Sequence, residues 1–138
     1  MLGELIGELI GEERGETTGM RVLSTDGGHP VMEASFQSTG TMLGVPVKDI
    51  GTYESVLRPD GTLWGEGQGV AMTQQGETFT WHGSGVGRVN QDGHVSWRGA
   101  IFFETVAERF TKLNSLAGVF EFEVDADGKA DAKLYEWS

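Results

Sequence analysis

From Val31 onward, apolar and polar side chains alternate with a period of two, broken at short intervals by turn residues. Val31 to Gln37 reads as a half-buried strand. Gly51 to Arg58, Thr62 to Met72, Thr78 to Val89 and His94 to Thr105 follow as further strands. The connections between them are Pro59-Asp60-Gly61, Gln74-Gln75-Gly76 and Gln91-Asp92-Gly93. Val119 to Val124 and Lys129 to Trp137 form a last hairpin around Ala126-Asp127-Gly128. Asp26 to Pro30 is a turn by composition, and Pro46 sits in a Gly-Val-Pro connection. Repeated turns ending in glycine between strands of this length predict an all-β protein. The expected fold is a single antiparallel barrel of roughly eight strands with at most one short helical connection. That connection is Val106 to Leu116, where Val106, Phe110 and Leu113 share a face. Residues 1–138 read as one domain, with 1–10 as a lead-in segment. The repeat Gly3-Glu4-Leu5-Ile6, Gly7-Glu8-Leu9-Ile10 is too short for a solenoid.

The turns also set registers. A three-residue loop with glycine in the left-handed position pairs Arg58 with Thr62. Val56 then faces Trp64, Glu54 faces Glu66 and Thr52 faces Gln68. The next two loops place Gln68 beside His82, Glu66 beside Ser84, and Phe102 beside His82. They also bring Arg98 beside Val86. One face of the patch thus carries Glu54, Glu66, Gln68, His82, Ser84, Arg98 and Glu104 together with Val56, Trp64 and Phe102. The other carries Tyr53, Leu57, Leu63, Phe79, Trp81, Trp97, Ile101 and Phe103, with the alternating glycines 65, 67, 69, 83, 85 and 87.

Two readings of those faces stand open. In the first, aromatics point inward and charges outward, and the glycines relieve a crowded, tightly coiled wall. In the second, the polar face lines the lumen. Glu54 and Glu66, opposite each other, would then share a proton beside His82 and Arg98, as general acid–base chemistry requires. The candidate ligand-binding residues on this basis are Glu54, Glu66, Gln68, His82, Arg98, Tyr53 and Trp81, with no catalytic residue assigned.

Composition narrows the field. Ten basic residues against 21 acidic give a formal charge of −11, which argues against nucleic acid or an anionic membrane as partner. There is no cysteine, so disulfides and thiolate chemistry are excluded. His29, His82 and His94 lack metal-ligand spacing, and no metal or other cofactor is expected. Asp125-Ala126-Asp127-Gly128 lacks the later ligands of a calcium loop. Gly65-x-Gly67-x-Gly69 continues into strand and is no dinucleotide fingerprint. Neither a secretory leader nor a membrane span is legible, and a cytoplasmic protein is the expectation.

The glycine-dense strand Gly61-Thr62-Leu63-Trp64-Gly65-Glu66-Gly67-Gln68-Gly69 carries a resemblance, together with the late segment Leu113 to Glu121 that enters the final hairpin. The pattern, from about Gly11 on, resembles the allene oxide cyclase-like barrel superfamily, and within it the small bacterial members without an assigned role. The resemblance implies a central cavity, a dimer or trimer, and a small lipophilic ligand. It also implies cyclisation or isomerisation without a cofactor as the candidate chemistry. No catalytic residue transfers with it. The alternative is a non-catalytic structural or interaction barrel that acts through an oligomer surface. A haem or fatty-acid carrier of the lipocalin type is a weaker third reading, since a haem carrier usually offers a ligand such as His and only His82 sits mid-strand.

Overall fold

The computed structural model describes residues 6–137. Eight antiparallel strands follow one another around a closed barrel, each hydrogen-bonded to its sequence neighbours, with β8 returning to β1. They are β1 (Ile6–Ser24), β2 (Val31–Met42), β3 (Val45–Leu57), β4 (Leu63–Met72), β5 (Thr78–Val89), β6 (Val95–Glu104), β7 (Gly118–Val124) and β8 (Lys129–Trp137). The expected fold class is the observed one. Closure leaves no sheet edge along most of the wall, because every ladder finds a partner.

The hairpin geometry follows the turn glycines. Arg58 donates its N–H to the Thr62 carbonyl at 2.8 Å, and Gly61 donates to the Arg58 carbonyl at 2.9 Å. Gly61 takes φ +88°, a left-handed conformation that other residues adopt at a cost. The loops at Thr73–Glu77, Asn90–His94 and Asp125–Lys129 repeat the same pair of bonds. The registers expected from these loops are the registers found, with Glu54 opposite Glu66, Gln68 opposite His82 and Val86 opposite Arg98, and the last hairpin sets Glu121 opposite Lys133.

Three features differ from expectation. Ile6 to Ile10 belong to β1 and not to a lead-in, while 1–5 lie outside the described residues. The β2–β3 hairpin turns on Leu43-Gly44, both with positive φ, so β2 runs five residues past Gln37 and β3 starts at Val45. The helical connection is a 3₁₀ helix, Glu108–Ser115, and Val106 is fully exposed beside it. With three residues per turn, Phe110 and Leu113 stack on one side, and Val106 lies before the helix starts. Both Phe110 and Leu113 are wholly buried. They plug one end of the barrel against Phe79, whose ring centroid lies 5.1 Å from that of Phe110.

Candidate functional site

Odd-numbered residues of β3 to β6 point inward. Asp49, Gly51 and Tyr53 share the inner face of β3, and Phe79, Trp81 and Gly83 share that of β5. The aromatic face is therefore the lumen. Phe36, Tyr53, Trp97 and Phe122 meet with centroid separations between 5.2 and 6.2 Å, in tilted and edge-on geometry. Trp81 stacks on Phe36 at 6.1 Å.

The inner glycines are what these rings rest on. A Cβ added at Gly69 would stand 2.5 Å from the Trp81 ring, and one at Gly51 would stand 2.6 Å from Trp81 Cζ2. Each large ring lies over bare backbone on neighbouring strands, the arrangement in which an aromatic covers a glycine in a curved sheet. The wall is crowded at the rings and open between them. A cavity of about 80 Å³ remains, surrounded by Phe36, Tyr53, Phe79, Trp81, Trp97 and Phe120 among others.

Two carboxyl groups enter this apolar space. Glu13 of β1 and Asp49 of β3 are each 5% exposed. Between them runs β2, whose inward positions here are Ser38 and Gly40. Gly40 has no room for a side chain, since its Cβ would fall on the Glu12 carbonyl. The two acids thus meet across β2 and hydrogen-bond to each other. Trp81 donates its indole N–H to Asp49 Oδ1 at 2.9 Å.

A hydrogen bond between two carboxyls requires one proton. Burial pushes Glu13 up to about 9, and the adjoining Asp49 charge and its hydrogen bond act in the same direction. Burial raises Asp49 as well, against hydrogen bonds from Glu13, Trp81 and Ile50 that favour its ionised form. Glu13 thus holds its proton at pH 7, the hydrogen bonds on Asp49 favour its ionised form against the burial that raises it, and the shared proton is a property of the pair. Burial alone pushes the Tyr53 phenol up to about 12, so it stays protonated. A neutral carboxylic acid held in an apolar cavity is the arrangement that general acids use.

The residues singled out from sequence divide between two surfaces. Tyr53 and Trp81 face the lumen. Glu54, Glu66, Gln68, His82 and Arg98 are exposed on the outer wall, which overturns the reading that put the polar face inside. Four of them do come together there. Glu54, Glu66, Gln68 and His82 line an open groove with Glu33 and Phe102. Glu33, Glu54 and Glu66 stand directly opposite one another on three adjacent strands, a repulsion that water screens. Arg21 pairs with Glu33 at 3.4 Å, and the Trp64 indole donates to Glu66 at 3.1 Å. Arg98 lies outside this groove. It binds Glu121 and Glu123 on β7, and there burial, which raises Glu123, is outweighed by hydrogen bonds from Arg98, Ser96 and His94.

Glu13 and Asp49 are absent from the sequence-based set. Asp49 was within reach, since alternation carried two steps back from Tyr53 through Gly51 places it on the aromatic face. Glu13 carried less signal. It lies in Gly11-Glu12-Glu13-Arg14-Gly15, a charged run that reads as solvated, and only its flanking glycines mark the inner parity.

No protein-family model matches the chain. No curated protein matches it either. Solved structures do share its shape. A protein of unknown function from Clostridium acetobutylicum superposes with a TM-score of 0.81 at 13% identity, covering 95% of this chain and 98% of that one. One from Rhodopseudomonas palustris gives 0.80 at 10% identity, with 94% and 95% covered. An enzyme from Penicillium herquei gives 0.67 at 13% identity, with 94% and 92% covered. At such identities the likeness establishes the barrel fold and nothing of its chemistry.

Proposed function

We propose that the lumen binds a small, largely apolar molecule through one polar group presented to Glu13 and Asp49. The observation that carries this reading is the hydrogen-bonded carboxyl pair inside the aromatic cavity. Burying two acids is costly, and a packed barrel has no need of them. Aromatic walls with a few convergent polar groups are the usual composition of a ligand site. Glu13, neutral at pH 7, is able to give a proton to a bound oxygen or nitrogen, and Asp49 is able to take one. Proton transfer of that kind is what cofactor-independent isomerisation and cyclisation need, which agrees with the sequence resemblance to allene oxide cyclase-like barrels.

The test is titration of nitrogen-15-labelled protein with cyclopentanone, a compact apolar ketone. The indole N–H signals of Trp81 and Trp97 should shift. Those of Trp64 and Trp137, on the outside, should not. Ala132 lies opposite Glu13 and lines the cavity, so Ala132→Leu should abolish the shifts. Shifts confined to the exterior would overturn the reading.

A second reading, self-association, is favoured by β1. Its ladder with β8 ends at Glu16 and Lys129, Thr17 still donates to the Gly128 carbonyl at 2.7 Å, and from Thr18 on, among the described residues, β1 pairs with β2. Thr18 to Leu23 are six consecutive exposed residues, Met20 and Val22 among them. An apolar strand with one free edge recruits another strand. The segment holds no acid, so it is where a second copy of this acidic chain meets least repulsion. Light scattering should give a dimer that Met20→Lys with Val22→Lys reduces to a monomer. A wild-type monomer at millimolar concentration would remove this reading.

A further inference from the structure

Among the described residues that line the lumen, Glu13 and Asp49 are buried acids, Glu66 borders it from the exposed wall, and none is basic. Among the residues lining the cavity, the charged side chains that point inward are Glu13 and Asp49. The lining includes no Lys, Arg or His. Two buried carboxyls thus stand in an apolar interior, and the Trp81 indole that donates to Asp49 favours its ionised form. Glu13 and the Trp81 indole are hydrogen-bond partners of Asp49, and neither is a cation. A buried anion without a counter-cation is unusual, because buried charges are nearly always paired.

The surrounding rings add a second preference. Phe36, Tyr53, Trp81, Trp97 and Phe122 present aromatic faces and edges to one small volume. Aromatic faces attract cations, and several around one point form the cage that recognises ammonium groups. The negative face of a ring repels a carboxylate, and Asp49 repels it more strongly. A neutral alcohol would satisfy one hydrogen bond and leave the charge as it was. Ring electrostatics and two buried carboxyls with no cationic side chain in the lining favour the same ligand chemistry.

From this we infer that the ligand of the lumen is a small organic cation, an amine whose ammonium group pairs with Asp49 inside the aromatic walls while its apolar body fills the remaining space. The inference rests on the proposed lumen site and narrows the polar group to a positively charged nitrogen. It excludes fatty acids and other carboxylates, the usual cargo of lipid-carrying barrels.

Three probes of nearly equal size decide it: n-butylammonium, n-butanol and butyrate, each titrated into the wild-type protein at pH 7. The readout is the Trp81 indole N–H signal, assigned by its loss in Trp81→Phe. Butylammonium should bind at least tenfold more tightly than butanol, and butyrate should not bind. Asp49→Asn should remove the tenfold preference and leave butanol binding within about twofold. Glu13→Gln keeps the Asp49 charge and a donor beside it, so the preference should persist there. If Asp49→Asn fails to fold, the wild-type ranking decides alone. Butanol or butyrate binding as tightly as the amine overturns the cation while leaving the lumen site standing. Failure of all three, and of cyclopentanone, overturns both.

Discussion

At the scale of single residues, Glu13 sets the cost of the site. Its carboxyl would lose its proton near pH 4.5 in an unfolded chain, but in the barrel it holds that proton up to about 9. The folded state therefore binds more protons than the unfolded state throughout that window. The stability linked to Glu13 is complete below about pH 4.5. It declines as pH rises, with a slope of at most about 1.4 kcal/mol per pH unit for one proton, and levels off above about 9. Asp49, also raised, pulls in the same direction from its lower starting value of 3.8. Glu13→Gln keeps the size and the hydrogen bond to Asp49 but has nothing to ionise. Urea melts from pH 5 to 9 should show the wild type losing stability with pH and E13Q losing much less, with E13Q the more stable protein above pH 7. Parallel slopes in the two proteins would mean that Glu13 ionises freely in the fold. Sequence reading stops short at this same residue. Alternation identifies which side chains share a face, and it ranked Trp81 and Tyr53 correctly on the aromatic one. It does not say that an acid among charged neighbours is buried, because burial is created by β2 and β8 packing on either side of Glu13.

At the scale of elements, the hairpins were legible and the plug was not. A turn glycine with positive φ fixes which residue ends one strand and begins the next, so four local signals set the registers of most of the barrel. The 3₁₀ helix has no such marker, and a period of 3.6 applied to Val106 to Leu116 selects the wrong first residue. What fixes the helix is tertiary. Asn114 exchanges two hydrogen bonds with the backbone of Thr105, at 2.9 and 3.0 Å, and Arg109 and Lys112 reach Glu77 and Glu136 on the wall. Those ion pairs are exposed and worth little. The anchoring comes from Phe110 and Leu113, which have no exposed surface and close the floor beneath Phe79 and Phe103. Phe110→Ala should cost about 3–5 kcal/mol in urea unfolding. It should also open the lumen from below, so that a dye that fluoresces in apolar surroundings binds the folded variant and not the wild type. A loss under 1 kcal/mol would show that the helix merely rests on the barrel.

At the scale of the whole molecule, two electrostatic sources of instability coexist and respond to different agents. The formal charge of −11 lies largely on the outer wall, where Glu33, Glu54 and Glu66 stand in one row. Their mutual repulsion passes through water and is screened by salt, with a Debye length of about 10 Å at 0.1 M. The Glu13–Asp49 pair is 5% exposed among the rings, and salt screens buried groups much less than exposed ones. Raising sodium chloride from 0.02 to 0.5 M at pH 8.5 should therefore increase the melting temperature of both the wild type and E13Q, by similar amounts. Replacing Glu13 should raise it by a similar step at either salt concentration. Independence of the two effects is expected because the groups are separated by the barrel wall and share no partner. If salt erased the advantage of E13Q, mobile ions would be reaching the pair, and the lumen would be an aqueous channel. The ammonium preference depends on the opposite condition. Asp49 attracts a cation strongly only where neither water nor counterions already surround it, so this double comparison tests the electrostatic premise of the site without any ligand.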